Sequence, residues 1–342
     1  MRRDLVPAAD SARGSAPAAL QDVGVVAIGR NEGERLHRCL DSLPPGVRGV
    51  VYVDSASTDD SVAQALRRGI DVLELDMSVP FTAARARNAG VRRLRERWPD
   101  IRFVQLVDGD CAVVPDWLDA AVRELESNAR IAVVCGRRRE IEPDASIYNR
   151  LADMEWDTPV GVAESCGGDA LVRLGAVVEV GGYDERIISG EEPELCARLR
   201  GRGWEVRRLD REMTRHDAAI SRFGQWWKRA RRAGHGYAQV SAVHPALYRR
   251  EKRSSLRWGL LLPAAALGSA PVTGGAGLLL LAAYPILWAR ILRHRRARGD
   301  AWREAALYAA FCVLAKLPEM AGVATYWWNR SRGVQTPLIE YK

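Results

Sequence analysis

The chain has 342 residues, enough for about two domains with a substantial hydrophobic core. Its 51 lysine and arginine residues outnumber the 43 aspartate and glutamate residues, which gives a formal net charge of +8. The six cysteines are scattered and form no C-x-x-C pair, so the sequence argues against a zinc site or a disulfide framework and favours a reducing cytosol.

The N-terminal segment 1–21 is rich in alanine, serine, proline and arginine and lacks an apolar stretch of signal-peptide length. We expect a disordered tail there, followed by a domain that stays in the cytoplasm. Beyond it, apolar runs alternate with helical patterns, which predicts an α/β fold with ligands at the carboxyl ends of parallel strands. The predicted strands are 23–28, 49–53, 71–75 and 102–107, and the predicted helices are 34–43, 60–68 and 82–97.

Polar clusters follow three of these strands. Residues 29–32 (GRNE) follow the first strand, Asp54 follows the second, and residues 108–110 (DGD) follow the fourth. A hydrophobic core needs none of these side chains, and three such clusters at one sheet edge predict a binding site. Two carboxylates separated by a glycine can hold Mg²⁺ or Mn²⁺ that also bridges substrate phosphates.

A basic belt directly precedes an apolar stretch. Residues 222–257 contain ten basic side chains and a single acid, Glu251. Charge alone fits nucleic acid, anionic lipid or phosphorylated substrates. Residues 258–289 contain no charged side chain and are long enough for a membrane segment. Because the belt adjoins this stretch, lipid explains the charge better, and we predict a membrane partner and no nucleic-acid partner.

The apolar stretch is interrupted by PVTGG at 271–275, and basic residues flank both of its ends. The positive-inside rule places both flanks in the cytoplasm, which a hairpin satisfies and a single crossing does not. We predict a basic linker at 238–257, a membrane hairpin at 258–292 and, at 300–330, an interfacial amphipathic helix kinked or ended by Pro318. A shallow or re-entrant hairpin and a buried soluble hairpin are the alternatives.

Over residues 23–237 the sequence resembles the inverting family-two glycosyltransferases, in their bacterial membrane-associated type. The resemblance implies the GT-A fold, a Rossmann-like mixed sheet flanked by helices, in a domain at 22–237. It rests on six motifs in the expected order: 27–32 (AIGRNE), 54–59 (DSASTD), 84–90 (ARARNAG), 166–170 (CGGDA), 181–184 (GGYD) and 190–195 (GEEPEL).

The resemblance also implies roles for single residues. A nucleotide-diphosphate sugar would be the donor, with Asp54 accepting hydrogen bonds from the nucleobase and Arg87 offsetting phosphate charge. The implied donor-binding residues are Ile28, Arg30, Asn31, Glu32, Asp54, Arg85, Arg87, Asn88, Asp108 and Gly109. The implied ligands of Mg²⁺ or Mn²⁺ are Asp110 and Asp108, with His216 as a third ligand or, alternatively, a structural histidine.

Inversion requires a base that deprotonates the acceptor hydroxyl. The resemblance places this base at Glu192, where the family has aspartate, with Glu191 as the alternative register. Both could instead be carboxylates that stabilise a helix N-terminus. The implied acceptor-side residues are Gly167, Gly168 and Asp169. Trp226, Trp227 and Arg229 are also predicted on the acceptor side, because they stand in a basic aromatic segment just before the apolar stretch. That segment would meet lipid phosphates or the pyrophosphate of a lipid-linked acceptor, and an ordinary amphipathic helix is the alternative.

The sequence thus predicts a metal-dependent inverting glycosyltransferase at the cell membrane, with its catalytic domain on the cytoplasmic face. The acceptor would be a lipid-linked or membrane-proximal glycan. A polyprenyl-phosphate sugar transferase is the alternative enzyme, and a non-catalytic nucleotide-sugar-binding scaffold is the alternative from another class.

Overall fold

The computed structural model describes residues 20–334, 336, 339 and 340. The predicted tail at 1–21 lies outside the described residues except for its last two, which begin a short 3-10 helix, Leu20–Asp22. The strands are β1 (Val23–Gly29), β2 (Gly49–Asp54), β3 (Asp71–Glu74), β4 (Phe103–Asp108), β5 (Cys111–Val113), β6 (Ile131–Glu140), β7 (Gly161–Val162), β8 (Ala170–Arg173) and β9 (Glu205–His216). The α-helices are α1 (Glu34–Asp41), α2 (Ser61–Arg67), α3 (Ala83–Arg97), α4 (Trp117–Ser127), α5 (Ile147–Glu155), α6 (Leu174–Glu179), α7 (Glu191–Gly201), α8 (Phe223–Val243), α9 (Arg249–Leu256), α10 (Leu262–Ser269), α11 (Ala283–Ala297), α12 (Trp302–Leu314) and α13 (Lys316–Ser331).

The nine strands form one mixed sheet in the order β3-β2-β1-β4-β8-β6-β9-β5, with β7 paired to β9. The four strands predicted from the sequence, β1 to β4, form the parallel half, and the sheet reverses direction where β8 pairs antiparallel with β4. Gly29 pairs with Asp54 and Ile28 with Asp108, so these strands end at the same level. The predicted fold class, a Rossmann-like mixed sheet flanked by helices, is confirmed.

Helix α3 brings its first turns close to this edge of the sheet. Its N-cap, Thr82, accepts a hydrogen bond from the backbone N–H of Arg85 at 3.1 Å. Small side chains let the helix approach the sheet, and a Cβ added at Gly90 would lie 2.4 Å from a β1 side chain. This close packing holds Arg87, one turn into the helix, beside the strand ends.

Helix α8 extends past the predicted domain boundary. The boundary at residue 237 falls inside this helix, which continues to Val243, and the predicted linker at 238–257 contains helix α9. Ala238 and Val240 are fully buried, so the end of α8 belongs to a packed core. Basic side chains are so frequent in this region that the apolar face of the helix is hard to recognise from the sequence.

The apolar stretch at 258–292 forms two helical arms that reverse direction in a turn at 270–275. The first arm runs from α9 through a π-helical turn, Arg257–Leu261, into α10, and the second combines a 3-10 segment, Ala276–Ala282, with α11. Several large apolar side chains of the hairpin are exposed, so the rest of the described chain does not bury it. By length and hydropathy, Ala276–Ala297 and Trp302–Ser331 could each cross a membrane. The C-terminal helices therefore suggest membrane association.

The segment predicted as one helix at 300–330 consists of two. The break falls at Ala315, between α12 and α13, and Pro318 lies in the first turn of α13, where its missing N–H has no helical partner to lose. Helix α13 packs along α8 through close backbone approaches at Gly234 and Gly322. The interfacial position of this segment stays a prediction.

Replacing Gly234 with alanine is expected to destabilise the packing of α8 on α13. The added Cβ would lie 2.0 Å from the backbone oxygen of Glu319, a clash that only a shift of the two helices relieves. Overpacking of this kind costs about 1–3 kcal/mol, measurable by urea unfolding. Gly224→Ala on the same helix is the matched control, since no atom lies within 4 Å of the added Cβ. Equal stability of the two variants would contradict this view of the helix contact.

Candidate active site

A cavity of about 710 Å³ opens at the carboxyl edge of the parallel strands. The loop after β1, the start of α3, the loop after β4, the start of α7 and one face of α8 line it. Many of the predicted site residues line this cavity: Ile28, Arg30, Asn31, Glu32, Arg87, Asp108, Gly109, Asp110, Gly168, Glu191, Glu192, His216 and Arg229.

Arg87 joins three carboxylates at the floor of the cavity. Its guanidinium is almost fully buried and donates to Glu191 at 3.0 Å and to Asp108 at 2.8 Å, and it pairs with Glu192 at 2.9 Å. Burial works to raise the pKa of Asp108, but Arg87 and Arg138 outweigh it and hold that pKa below its usual range. One buried cation therefore organises the predicted base and the first aspartate of the DGD motif.

Asp169 positions Asp108 and does not line the cavity. Its fully buried carboxylate accepts hydrogen bonds from the backbone N–H of Asp108 at 3.0 Å and from the Thr214 hydroxyl at 2.6 Å, and it pairs with Arg138 at 2.9 Å. The predicted acceptor-side role of Asp169 therefore has no support in this geometry. Asp169 immediately precedes β8, and the pairing of β8 with β4 places the Asp169 side chain beside Asp108 at the end of β4.

The ion pair of Arg87 with Asp108 requires a glycine at position 168. The neighbouring Gly167 does not line the cavity. A Cβ added at Gly168 would lie 2.6 Å from the Arg87 guanidinium and 2.7 Å from the Asp108 carboxylate. Any side chain there would separate the two charges. The glycine motif at 166–170 thus makes room for an ion pair, which explains its sequence without an acceptor contact.

Asp110 and His216 meet on the other side of the cavity. The pairing of β5 with β9 places Cys111 opposite His216, so the aspartate just before β5 comes within 3.2 Å of the imidazole Nε2. A spacing of about 3 Å is the edge of an octahedron with metal–ligand bonds of about 2.1 Å. A carboxylate and an imidazole in a cavity that would also receive phosphate oxygens form a donor set that fits Mn²⁺ or Mg²⁺.

Trp156 orients the imidazole, because its ring contacts the His216 ring edge-on at a centroid distance of 4.7 Å. Asp108 is arranged differently from Asp110. Both of its carboxylate oxygens are engaged, one by Arg87 and the other by Arg138 at 3.3 Å. Asp110 with His216 is therefore the better metal site, and Asp108 is a carboxylate held between two arginines.

Glu191 and Glu192 open helix α7, directly after Gly190 in the left-handed conformation. Glu191 is buried, whereas the Glu192 side chain keeps 13% of its surface exposed to the cavity. Burial, joined by the neighbouring Glu191 carboxylate, raises the pKa of Glu192 to about 7 despite Arg87. A carboxylate with this pKa exchanges protons near neutral pH, as a general base must.

Three predicted donor residues do not line the cavity. Asp54 is buried, and its carboxylate accepts hydrogen bonds from the Tyr52 hydroxyl at 3.0 Å and from both the backbone and the hydroxyl of Ser57. These bonds satisfy the carboxylate inside the loop, so its predicted contact with the nucleobase has no support in this geometry. Arg85 donates to two backbone carbonyls of the 76–79 loop, and Asn88 bonds the backbone of Tyr183.

Trp226 and Trp227, predicted on the acceptor side, also lie outside the cavity. Trp226 is buried and packs edge-on against Phe311 of α12 at 4.9 Å, and Trp227 packs against Phe223 at 5.7 Å. Trp226 thereby joins α8 to the C-terminal helices, whereas the contact of Trp227 with Phe223 lies within α8. Arg229, one turn further along, does reach the cavity and pairs with Glu155 at 2.8 Å.

Sequence reasoning missed several lining residues, among them Arg138, Trp156, Tyr237 and Tyr248. Arg138 could have been found, because three consecutive arginines within the β6 pattern leave at least one pointing towards the protein interior. The two tyrosines, with ring centroids 5.0 Å apart, come from α8 and the turn before α9. No sequence signal brings those two elements together.

Replacing Asp169 with asparagine is expected to lower the free energy of unfolding by about 1–3 kcal/mol, since buried Arg138 loses the nearer of its two ionised partners. Urea unfolding measures this loss. Asp210→Asn is the control, because the Asp210 side chain is 91% exposed and such positions change stability by at most about 0.5 kcal/mol. A loss at Asp169 no greater than that of the control would show that the buried network does not depend on this charge.

A mixed sheet with a carboxylate-lined cavity at the carboxyl edge of its parallel half is the architecture of the GT-A glycosyltransferases. Residues 25–161 match the family described as Glycosyl transferase family 2. The structure of the mannosyltransferase PcManGT from Pyrobaculum calidifontis, in complex with GDP-Man and Mn²⁺, shares this fold. The match has a TM-score of 0.59 at 20% identity and covers 90% of this chain and 88% of that one.

Two curated relatives are similar in sequence. The pre-mycofactocin glycosyltransferase of Mycobacterium tuberculosis is 25% identical over 236 residues, which are 66% of this chain and 48% of the relative. The glucomannan 4-beta-mannosyltransferase 2 of Arabidopsis thaliana is 25% identical over 181 residues, which are 47% of this chain and 33% of the relative. The chain thus spans half or less of the length of these relatives.

Proposed function

We propose that this protein is a metal-dependent inverting glycosyltransferase that moves a sugar from a nucleoside-diphosphate donor to a lipid-linked or membrane-proximal acceptor. One observation carries the proposal. A carboxylate with a pKa of about 7, Glu192, lines the same cavity as the metal-type pair Asp110 and His216. A family-two domain with this arrangement has both a base and a place for a diphosphate.

The donor would occupy the side of the cavity formed by the loop after β1. The backbone and side chains of residues 28–32 line that side, and Gly109 comes close to them, its N–H donating to the carbonyl of Ile28 at 2.7 Å. Asp110 and His216 would hold Mn²⁺ or Mg²⁺, which supplies Lewis-acid stabilisation of the leaving diphosphate. PcManGT, which shares the fold, was solved with GDP-Man and Mn²⁺, and this supports a nucleotide-sugar donor here.

Glu192 would act on the acceptor. Its carboxylate takes the proton of the attacking hydroxyl, the hydroxyl oxygen bonds to the anomeric carbon, and the bond to the diphosphate oxygen breaks on the opposite face. Configuration at that carbon therefore inverts. Arg87 holds the base and Asp108 in fixed positions, so little reorganisation is needed when the acceptor arrives.

The acceptor would approach along α8, whose residues Arg229, Gly236 and Tyr237 line the cavity. The same helix packs on α13, within a segment long and apolar enough to cross a membrane. Acceptors held in or at a bilayer fit this arrangement. The basic flanks of the hairpin favour a catalytic domain on the cytoplasmic face.

A calorimetric panel of UDP, GDP and dTDP with Mn²⁺ tests the donor site. We expect one nucleotide to bind with an affinity that depends on the metal. Incubation of the matching nucleotide sugar with a membrane extract, followed by NMR of the product linkage, then tests inversion. Absence of binding by every nucleotide, with and without metal, would contradict the donor site, whereas binding without transfer would favour the nucleotide-sugar-binding scaffold.

A further inference from the structure

A second cavity, of about 950 Å³, lies between helices α9 and α11 and is separate from the catalytic cavity. Its lining includes six side chains that are cationic or can become so, and we call it the basic groove: Arg249, Arg250, Arg253, Arg257, Arg290 and His294. No acidic residue lines it among the described parts of the chain. The groove is thus a concentration of positive charge with a concave shape.

The arginines of the basic groove have no counter-charge of their own. Within residues 20–334, none of the five forms an ion pair or a side-chain hydrogen bond, although most arginines of the catalytic domain do. Arg249, Arg253 and Arg257 follow one another at four-residue spacing, so like charges stack along one helix face and repel. Binding of an anion would reduce this repulsion between the arginines.

The position of the basic groove identifies the anion. Arg257 is the last charged residue before the uncharged stretch, and Trp258, which also lines the groove, is of the type that anchors helices at the membrane–water boundary. Leu287 and Ile291 add an apolar side to the same cavity. A cavity lined by both cations and apolar side chains matches a phosphate headgroup with the start of its acyl chains.

We propose that the basic groove binds the phosphate headgroup of an anionic phospholipid. This site is independent of the proposed transferase activity. It would also affect the catalytic cavity, because the start of α9 separates the two: Tyr248 and Glu251 face the catalytic cavity, while Arg249 and Arg250 face the groove. A bound headgroup thereby fixes one wall of the catalytic cavity relative to the bilayer.

The test uses the full chain in neutral detergent, titrated with short-chain phosphatidylglycerol or phosphatidylcholine and followed by thermal shift. We expect saturable stabilisation by phosphatidylglycerol and little by phosphatidylcholine. Each arginine near an anionic lipid surface contributes about fivefold in affinity, so Arg253→Gln with Arg257→Gln should weaken binding about 25-fold. Arg293→Gln with Arg303→Gln, two exposed arginines outside the groove, is the charge-matched control and should bind as wild type.

A further double variant separates loss of charge from loss of folding. Arg253→Lys with Arg257→Lys keeps the charge and should retain most of the binding. Equal losses in the groove and control variants would show general charge attraction and overturn the proposal, as would equal binding of both lipids. Stabilisation by inorganic phosphate as strong as that by phosphatidylglycerol would also overturn it, since the groove would then bind free phosphate. Loss of binding in a folded lysine variant would show that charge is not the cause.

Discussion

Replacing Glu192 with glutamine is expected to lower kcat by about 10²–10⁴-fold while leaving donor affinity nearly unchanged. Glutamine keeps the size of the side chain but cannot accept the acceptor proton. Because the Glu192 pKa is raised to about 7, the wild-type rate should increase with pH up to about 7 and level off above it. A pH–rate profile of both proteins measures this, and the inflection should be absent from the variant.

The groups that act on the pKa of Glu192 are Glu191, Arg87 and Asp108. Glu191→Gln is therefore the matched control: it should lower the pKa of Glu192 by removing a like charge, and so shift the inflection to lower pH while leaving most of the rate. If Glu192→Gln keeps near-wild-type activity and Glu191→Gln loses it, the base is Glu191. Full activity in both variants would favour transfer to a lipid phosphate, which needs no base.

Replacing Asp110 with asparagine is expected to abolish the Mn²⁺-dependent part of nucleotide binding and to lower the transfer rate by roughly a thousandfold or more, since a metal contributes several kcal/mol to charge stabilisation at the leaving group. Asparagine preserves the shape of the loop but loses the anionic ligand. Calorimetry with and without Mn²⁺ separates the metal contribution from that of the nucleotide alone.

Asp100→Asn serves as the control for this variant, because the Asp100 side chain is largely exposed and lies before β4, at the opposite end of that strand from the DGD motif. His216→Ala adds a second comparison. A metal ligand predicts weaker Mn²⁺ affinity in that variant, whereas a histidine that only packs against Trp156 predicts unchanged affinity with lower stability. Metal-dependent binding that survives Asp110→Asn would contradict the proposed metal site.

The parallel half of the sheet was predictable because its strands are nearly continuous apolar runs, which only a sheet covered on both faces accommodates. Asp108 and Asp110 follow such a run, and this explains why the centre of the site was found. Strands β5 to β9 were not predicted. They are shorter or heavily charged, and β9 alternates buried residues with arginines that pair with other elements.

The predicted contacts of Asp54, Asp169 and the two tryptophans lack support in this geometry for a common physical reason. Each of these side chains is polar or amphipathic and satisfies itself within the protein: Asp54 through Tyr52 and Ser57, Asp169 through Arg138 and Thr214. A sequence motif indicates which residue type stands at a position but not whether its partners come from the ligand or the chain. The register between Glu191 and Glu192 was open for a similar reason, because only the helix start decides which of the two side chains is the more exposed to the cavity.

The close contact of α8 with α13 at Gly234 also has a mechanical meaning. Helix α8 forms a wall of the catalytic cavity, and α13 belongs to a segment long enough to cross a bilayer. Because the backbones of the two helices are in close contact, a change in the tilt of α13 would also move α8. Bilayers of different hydrocarbon thickness change the tilt of embedded helices. The shape of the cavity would then depend on the thickness of the membrane. The proposed transfer rate in vesicles should therefore vary with acyl-chain length at constant headgroup charge.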